Sequence, residues 1–178
     1  MQTFRDEMRL IESKVREVLP DIAILLTISA KAIAERTIKD KGFGYSYSTN
    51  TVPAWFLQGK EWNGIGEKFI EKKIKDGEES NWKELRSAQG MQTAYVDLSY
   101  SNEMWNNMAP APVTENNGVF SAPLAATNTA VQNKMNFNRD RYGDFIGNAL
   151  TPEDYKILMQ IVISEVLKAI NSIGLTSN

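Results

Sequence analysis

The chain has 178 residues, of which 42% are hydrophobic, and its formal net charge at pH 7 is -2. This length and apolar content suit a single domain with a proper core. The small net charge argues against a general nucleic-acid-binding surface, which needs concentrated Lys and Arg. Cysteine and histidine are both absent, which excludes disulfides, thiolate nucleophiles, zinc knuckles, iron–sulfur sites and Ser-His-Asp catalysis. We therefore expect no enzyme and no cofactor.

Targeting signals are also missing from the sequence. No apolar run approaches the roughly 20 residues that cross a bilayer, so we expect no membrane partner. The first residues, MQTFRDEMRLIESK, contain no apolar core of the kind that a signal peptide needs. Synthesis in the cytoplasm is the resulting expectation.

The N-terminal stretch carries a narrow apolar seam at three- and four-residue steps, formed by Phe4, Met8, Ile11, Val15 and Val18. A seam this narrow predicts an amphipathic helical arm, residues 1–19, that docks on one surface of its own chain or of a neighbour. Pro20 is expected to break or bend the chain. A second helix, from Asp21 to Lys41, should follow and pack against the C-terminal helix within a single domain of residues 20–178.

Residues 43–82 read as a loop and short-helix insertion in that domain. Its first part sets aromatic residues among Ser, Thr, Asn and Gly, and two interpretations stay open. The rings could form a sugar-binding platform, or they could hold a long loop against the domain or an adjacent subunit. No carboxylate pair lies beside them, which favours the second interpretation. Short helices are predicted from Gly66 to Lys75 and over NWKELRSAQG, the latter capped by Ser80 or Asn81.

Residues 87–138 carry few charges, which suits a sheet face or a surface covered by partners. The alternation from Tyr95 to Tyr100 predicts a strand, and SNEMWNNM predicts a helical turn. Asn117-Gly118 is the dipeptide of a type I′ turn and predicts a hairpin. Residues 125–138 are expected to form a loop or irregular helix.

The C-terminal stretch carries the clearest helix signal. Thr151 is a good N-cap, Pro152 suits the first helical position, Asp154 occupies the capping-box position and Gly174 can end the helix. Outside one polar stripe, nearly every position is apolar. An arc this wide needs cover on more than one side, either inside one domain or from a neighbouring subunit. The elements together predict an α+β fold, with long N-terminal and C-terminal helices packed on a small antiparallel β-sheet and an extended aromatic loop.

The carboxylates suggest no catalytic site. Asp140 and Asp144 stand beside Arg139 and Arg141, so structural ion pairs are a better interpretation than an acid pair. Asp97 lacks the second carboxylate that glycosidase chemistry requires. Calcium-loop patterns are absent as well. We assign no catalytic, cofactor-binding or metal-binding residue.

Two segments resemble a known group of proteins. The first is LRSAQGMQT at Leu85–Thr93, continuing through VDLSYS to Met104-Trp105, and the second is RYGDFIG at Arg141–Gly147, leading through LTPED into the last helix. This order of motifs resembles the small tail-completion, or neck, proteins of tailed bacteriophages, within the broad virion-morphogenesis and tail-component group. The resemblance covers roughly residues 20–42 and 83–172, and the aromatic insertion is longer than the usual connection.

The resemblance implies a structural virion protein without chemistry. Such a protein forms a homo-oligomeric ring, with six or twelve copies as candidate numbers, at the head–tail connector. Its partners would be portal or adaptor proteins, tail proteins, and genomic DNA only as it passes through the lumen. The candidate interface residues are Phe4, Met8, Ile11, Val15, Trp55, Phe56, Trp62, Met104, Trp105, Arg141, Tyr142 and Phe145.

The rival interpretation is an accessory carbohydrate-binding or carboxylate-based hydrolase module that uses the surface of Trp55, Phe56 and Trp62. It predicts rings that face solvent in a concave pocket, whereas a ring protein predicts rings that pack against protein. Within the virion class, a tail terminator or a head-closure adaptor stays open.

Overall fold

The computed structural model of the chain describes residues 3–59, 64–98 and 102–174. Its α-helices are α1 Phe4–Lys41, α2 Gly64–Lys75, α3 Trp82–Ala88, α4 Glu103–Asn106, α5 Thr129–Tyr142 and α6 Pro152–Asn171. Its strands are β1 Val52–Pro53, β2 Glu79–Ser80, β3 Met108–Pro110, β4 Thr114–Asn116, β5 Val119–Ser121 and β6 Leu124–Ala126. The predicted α+β class, with helices and a small antiparallel β component, is confirmed.

The chain divides into two compact units. Unit 1 comprises the residues up to Arg36 together with those from Glu103 onward, and unit 2 is Thr37–Asn102. These boundaries differ from the predicted arm boundary after residue 19. Within the described residues, the strands pair antiparallel in three two-stranded ladders, β1–β2 in unit 2 and β3–β6 and β4–β5 in unit 1.

Helix α1 runs uninterrupted through Pro20, so the predicted break at this residue is wrong. A proline inside a helix removes one hydrogen bond and costs about 3 kcal/mol. Because helix propagation is cooperative, long segments on both sides can carry that cost. The helix starts at a reciprocal cap, in which the Thr3 amide donates to the Asp6 carboxylate at 3.1 Å and the Asp6 amide donates to the Thr3 hydroxyl at 3.3 Å.

The C-terminal end of α1 agrees with the prediction. Gly42 has a φ of 69°, and its amide donates to the Ile38 carbonyl at 3.0 Å. The Tyr95 hydroxyl donates to the Lys39 and Asp40 carbonyls at 2.8 and 2.6 Å. These contacts satisfy carbonyl groups that have no partner inside the helix.

Unit 2 is built around a small apolar core. Leu57, Ile70 and Leu85 are buried, with Val52 and Phe69 packed against them. The two predicted short helices, α2 and α3, are confirmed, and the Asn81 side chain caps α3 by accepting from the Glu84 amide at 2.9 Å. The insertion predicted at residues 43–82 therefore supplies most of a compact unit.

Unit 1 has its core around Trp105, which is fully buried and meets Phe145 edge-to-face with ring centroids 6.0 Å apart. Met104 is buried as well, and α4 confirms the predicted helical turn. These three side chains were candidate interface residues, and within the chain they are buried in the core of unit 1. Val131 of α5 is also fully buried.

Of two predictions of local structure in the middle of the chain, one is borne out in part and one is wrong. Residues 125–138 were expected to form a loop or irregular helix, and residues 129–142 form the regular helix α5, whose start the Asn128 side chain caps by accepting from the Val131 amide at 2.9 Å. No strand occurs over residues 95–98, the described part of the predicted strand. Neighbouring Val96 and Asp97 are both buried, and Leu98 has a φ of 51°, neither of which suits an alternating strand. Residues 99 and 100 lie outside the described residues.

The predicted hairpin is confirmed. β4 pairs with β5 in a register that places Asn116 opposite Val119, so that Asn117 and Gly118 form the two-residue turn. Both turn residues have positive φ, 51° and 79°, as a type I′ turn requires.

Candidate interaction surfaces

Helix α6 forms as predicted but is left largely uncovered by its own chain. Thr151 and Asp154 make the predicted capping box, with the Asp154 amide donating to the Thr151 hydroxyl at 3.2 Å. Of its 20 residues, all described, only Ala169 is buried. The wide apolar arc therefore lacks the second covering surface that its sequence predicts.

The exposed apolar residues of α6 form a stripe at four-residue spacing. Its members are 44–58% exposed: Tyr155, Met159, Ile163 and Leu167. Residues four apart lie one above the other on a helix, so these four side chains make a continuous ridge, here called the α6 ridge. Ile157 is similarly exposed but lies on another face of α6.

A groove of about 670 Å³ lies between the N-terminal half of α1 and the β4–β5 hairpin. Its apolar lining includes Met8, Ile11, Val15 and Leu19 from α1 and Phe120 from β5. We call it the α1–hairpin groove. Three of the five predicted seam residues line it; of the other two, Phe4 is highly exposed and Val18 lines a different cavity. The seam is visible in the sequence but its second wall is not, since nothing in a hairpin signal says which helix the hairpin faces.

Charged side chains surround the groove. Arg5, Arg9, Glu12 and Arg16 line it along α1. Arg16 also forms an ion pair with Glu115 of β4, which ties the hairpin to the helix. Arginine is therefore in excess at this surface.

The other side of α1 faces α6. Val18, Ile22 and Leu25 of α1 share a cavity of about 280 Å³ with Ala169 and other residues of α6. The predicted partnership between the C-terminal helix and residues 21–41 therefore rests on the first turns of that segment, with Val18 just ahead of it.

Two aromatic candidates of unit 2, Trp55 and Phe56, are exposed side by side. Trp55 and Phe56 lie on a 3₁₀ turn, Ala54–Leu57, and are 62% and 69% exposed, with ring centroids 5.9 Å apart in an edge-to-face arrangement. They do not fill their own unit's core, to which Leu57 of the same turn contributes. Trp62 lies outside the described residues.

The remaining candidates lie at the end of α5. Arg141 is exposed, and its guanidinium carbon lies 5.6 Å from the ring centroid of the half-buried Tyr142. The predicted ion pairs around these residues are wrong. Among the described residues, neither Arg139 nor Arg141 pairs with Asp140 or Asp144, and the Asp144 carboxylate instead accepts from the Gly147 amide at 3.0 Å.

Unit 2 contains a buried polar cluster that the sequence analysis did not find. Arg86 donates to the Asp97 carboxylate at 2.7 Å, and both side chains are almost fully buried. The Tyr47 hydroxyl donates to the same carboxylate at 2.7 Å, and the Gln92 amide nitrogen donates to it at 2.9 Å. The Arg86 guanidinium also lies 4.5 Å from the Tyr47 ring centroid.

This cluster is structural in character. Burial, followed by the hydrogen bond to Asp97, raises the pKa of the Tyr47 hydroxyl well above its usual value of 10. A tyrosine held protonated and a carboxylate with three donors are suited to fixing a loop, not to moving protons. No single-sequence signal joins Tyr47 to Asp97 across 50 residues.

Neither a metal site nor a membrane span is found in the part of the chain that the structure describes. Residues 3–59, 64–98 and 102–174 hold no group of three or more Asp or Glu side chains that could bind a metal ion. No helix in those ranges is both long and apolar enough to cross a bilayer.

Comparison of the chain with known protein families, with curated proteins and with solved structures gave no match.

Proposed function

We propose that this protein is a structural virion subunit that forms a ring at the head–tail connector of a tailed bacteriophage. It would join the portal side of the head to the tail, line the DNA path and catalyse no reaction. The observation that carries the proposal is the exposed α6 ridge on a helix of which only Ala169 is buried. The motif resemblance supplies the virion setting.

The physical argument for assembly rests on uncovered apolar surface. Each half-exposed large apolar side chain that a neighbour covers contributes on the order of 1 kcal/mol. The α6 ridge and the α1–hairpin groove lie in one unit, and contiguous exposed apolar surface of this kind marks interaction sites in soluble proteins. A ring subunit, whose neighbours cover these surfaces on two sides, would retain such features.

The test is deletion of the gene from a phage or prophage that carries it, followed by negative-stain microscopy of lysates. We expect DNA-filled heads beside separate tails, with infectivity restored when the gene is supplied in trans. A copy of the gene with a synonymous codon for Thr151, which encodes the same protein, is the matched control for the complementation. Intact, infectious particles from the deletion strain would contradict the connector role.

The exposure of Trp55 and Phe56 favours one alternative, a carbohydrate-binding module. Exposed aromatic rings offer a stacking surface for sugars, although free ring subunits would expose them too. Alanine at both positions separates the alternatives. Glycan binding lost from a folded monomer supports the module, and assembly lost without any glycan binding supports the ring.

A further inference from the structure

We propose that the α6 ridge of one copy seats in the α1–hairpin groove of the next copy, so that subunits join head to tail. This inference names the contact surfaces of the self-association on which the proposed function rests. Both surfaces lie in unit 1 of every copy, and they are different surfaces. A contact between two different patches repeats from copy to copy and closes into a ring when the rotation allows it.

The ridge and the groove match in kind and in length. The ridge runs from Tyr155 to Leu167, about 18 Å at 1.5 Å per residue, and the apolar lining of the groove along α1 runs from Met8 to Leu19, about 16 Å. Both carry large aliphatic or aromatic side chains at helical spacing. A row of side chains four residues apart is the ridge that packs into grooves between neighbouring helical side chains.

A protomer's own α6 does not fill its own groove. At 100° per residue, the α1 positions that line the cavity shared with α6 lie about a third of a turn from those that line the groove. On α6, likewise, Glu165 and Ala169 line that shared cavity, and the ridge lies on a neighbouring face. The intramolecular contact therefore leaves both surfaces available to a second copy.

The charges favour a copy of this chain over a nucleic acid as the occupant. Along α1 the groove has three arginines and one glutamate, whereas the first turns of α6, where the ridge begins, have two carboxylates, Glu153 and Asp154, and one lysine, Lys156. Arg5 and Arg9 form no ion pair with a described residue. A phosphate backbone would match the arginines but would leave the apolar floor of the groove uncovered.

The experiment uses the full chain and two disabling substitutions, each with a matched control. Met159→Glu places a charge on the ridge, and its control is Ile157→Glu, on another face of the same helix at similar exposure. Met8→Glu places a charge in the groove, and its control is Leu10→Glu, an exposed α1 residue that does not line the groove. Circular dichroism checks that each variant folds, and native mass spectrometry gives the mass of each assembly.

We expect an oligomeric wild type, wild-type mass for both controls, and monomers for Met159→Glu and Met8→Glu at the same concentration. The decisive result is the mixture of the two monomers. Met159→Glu keeps its groove and Met8→Glu keeps its ridge, so an equimolar mixture should give 1:1 heterodimers and nothing larger. The dissociation constant of this heterodimer should be at least tenfold below that of either variant with itself.

Several outcomes would overturn the inference. A monomeric wild-type protein would contradict the proposed contact, and so would the wild-type mass in both disabled variants. Dissociation by Met159→Glu with no pairing in the mixture would point to a ridge-to-ridge contact instead. If Met159→Glu does not fold, Tyr155→Glu, nearer the start of α6, tests the same ridge.

The outcome for the connector role is read separately. If the chain assembles through the ridge and groove but the deletion strain stays infectious, this contact is supported and the neck assignment is contradicted. If the deletion strain gives separate heads and tails but the wild-type protein stays monomeric, the neck assignment is supported and this contact is contradicted.

Discussion

The polar cluster of unit 2 and the α6 ridge of unit 1 differ in whether the chain itself supplies the partners of their side chains. In unit 2, the buried charges of Arg86 and Asp97 meet each other, and Tyr47 and Gln92 complete the shell around the carboxylate. In unit 1, α6 presents four large apolar side chains to solvent along one ridge.

The difference separates two kinds of structural requirement. Buried charges must be paired inside the fold, since an unpaired one costs several kcal/mol. Exposed apolar side chains can stay uncovered until a partner binds, because each one forgoes only the favourable free energy that its burial would contribute. The polar cluster of unit 2 is therefore complete within the chain, whereas the α6 ridge, like Trp55 and Phe56 of unit 2, is not covered by the chain itself.

The largest expected effect comes from breaking the self-contained cluster of unit 2. Asp97→Ala leaves Arg86 buried without its carboxylate, so the free energy of unfolding should fall by about 3–5 kcal/mol. Urea denaturation measures it. The double variant Arg86→Met/Asp97→Leu leaves neither charge behind and should recover much of that loss. As a matched control, Glu78→Gln breaks the 2.6 Å ion pair with Lys73 at the surface and should have a far smaller effect.

Close packing in unit 2 predicts the next effect. A Cβ atom on Gly42 would lie 2.7 Å from the Tyr95 Cβ, at a φ of 69°. Gly42→Ala should therefore lower the free energy of unfolding by about 2–3 kcal/mol, through backbone strain and displacement of the Tyr95 ring. Gly77→Ala is the control, because Gly77 has a similar φ of 68° and open space around it. Equal losses in the two variants would show that the Tyr95 contact contributes nothing.

The Tyr47 hydroxyl links the cluster to pH. Tyr47→Phe should cost about 2 kcal/mol at neutral pH, because a hydrogen bond to a carboxylate is lost. The pKa of Tyr47 is raised in the folded state, so the stability it contributes is complete below the unfolded pKa of 10 and is lost as the pH rises towards the folded value. Above about pH 10, wild type should therefore lose more stability with rising pH than Tyr47→Phe.

A smaller effect is expected where α6 depends on its own cap. Thr151→Ala removes the hydroxyl that accepts from the Asp154 amide, and the free energy of unfolding should fall by about 1 kcal/mol. Ser164→Ala, at an exposed position inside the same helix, is the control and should be neutral or slightly stabilising. If the measured loss for Thr151→Ala is nil, packing and not the cap holds α6.

The smallest effect concerns the exposed pair of unit 2. Trp55→Ala should change the free energy of unfolding by less than about 0.5 kcal/mol, because the ring is mostly exposed. Leu57→Ala on the same turn removes a buried side chain and should cost about 2–4 kcal/mol. A large loss from Trp55→Ala would place that ring in the core and remove it from the candidate surfaces.

Local signals in the sequence predicted those elements whose ends are determined by neighbouring residues. The Thr151 capping box, the Asn117-Gly118 turn and the Asn81 cap all work within four residues. Their physics is present in any short window of the chain. The start of α5 had such a signal too, at Asn128, and the polar composition of the helix concealed it.

The wrong predictions concern positions whose structure depends on residues far away in the sequence. The alternation at residues 95–98 suggested a strand, but Asp97 is drawn inward by Arg86 and Tyr47, which lie 11 and 50 residues away. Trp105 looked like an aromatic contact residue because its partner Phe145, 40 residues on, could not be identified from the sequence. For the same reason, the seam of α1 was predictable, whereas the hairpin that makes it a groove was not.

The proline within α1 has a mechanical consequence. At Pro20 the helix lacks one amide donor, so the carbonyl four residues earlier has no helical partner, and helices bend most easily at such a turn. The residues of α1 that line the groove all precede Pro20. A modest change of angle there would turn the groove-lining half of the helix without unfolding the helix. If the proposed contact forms, such a change would alter the rotation between neighbouring copies, on which the size of a closed ring depends.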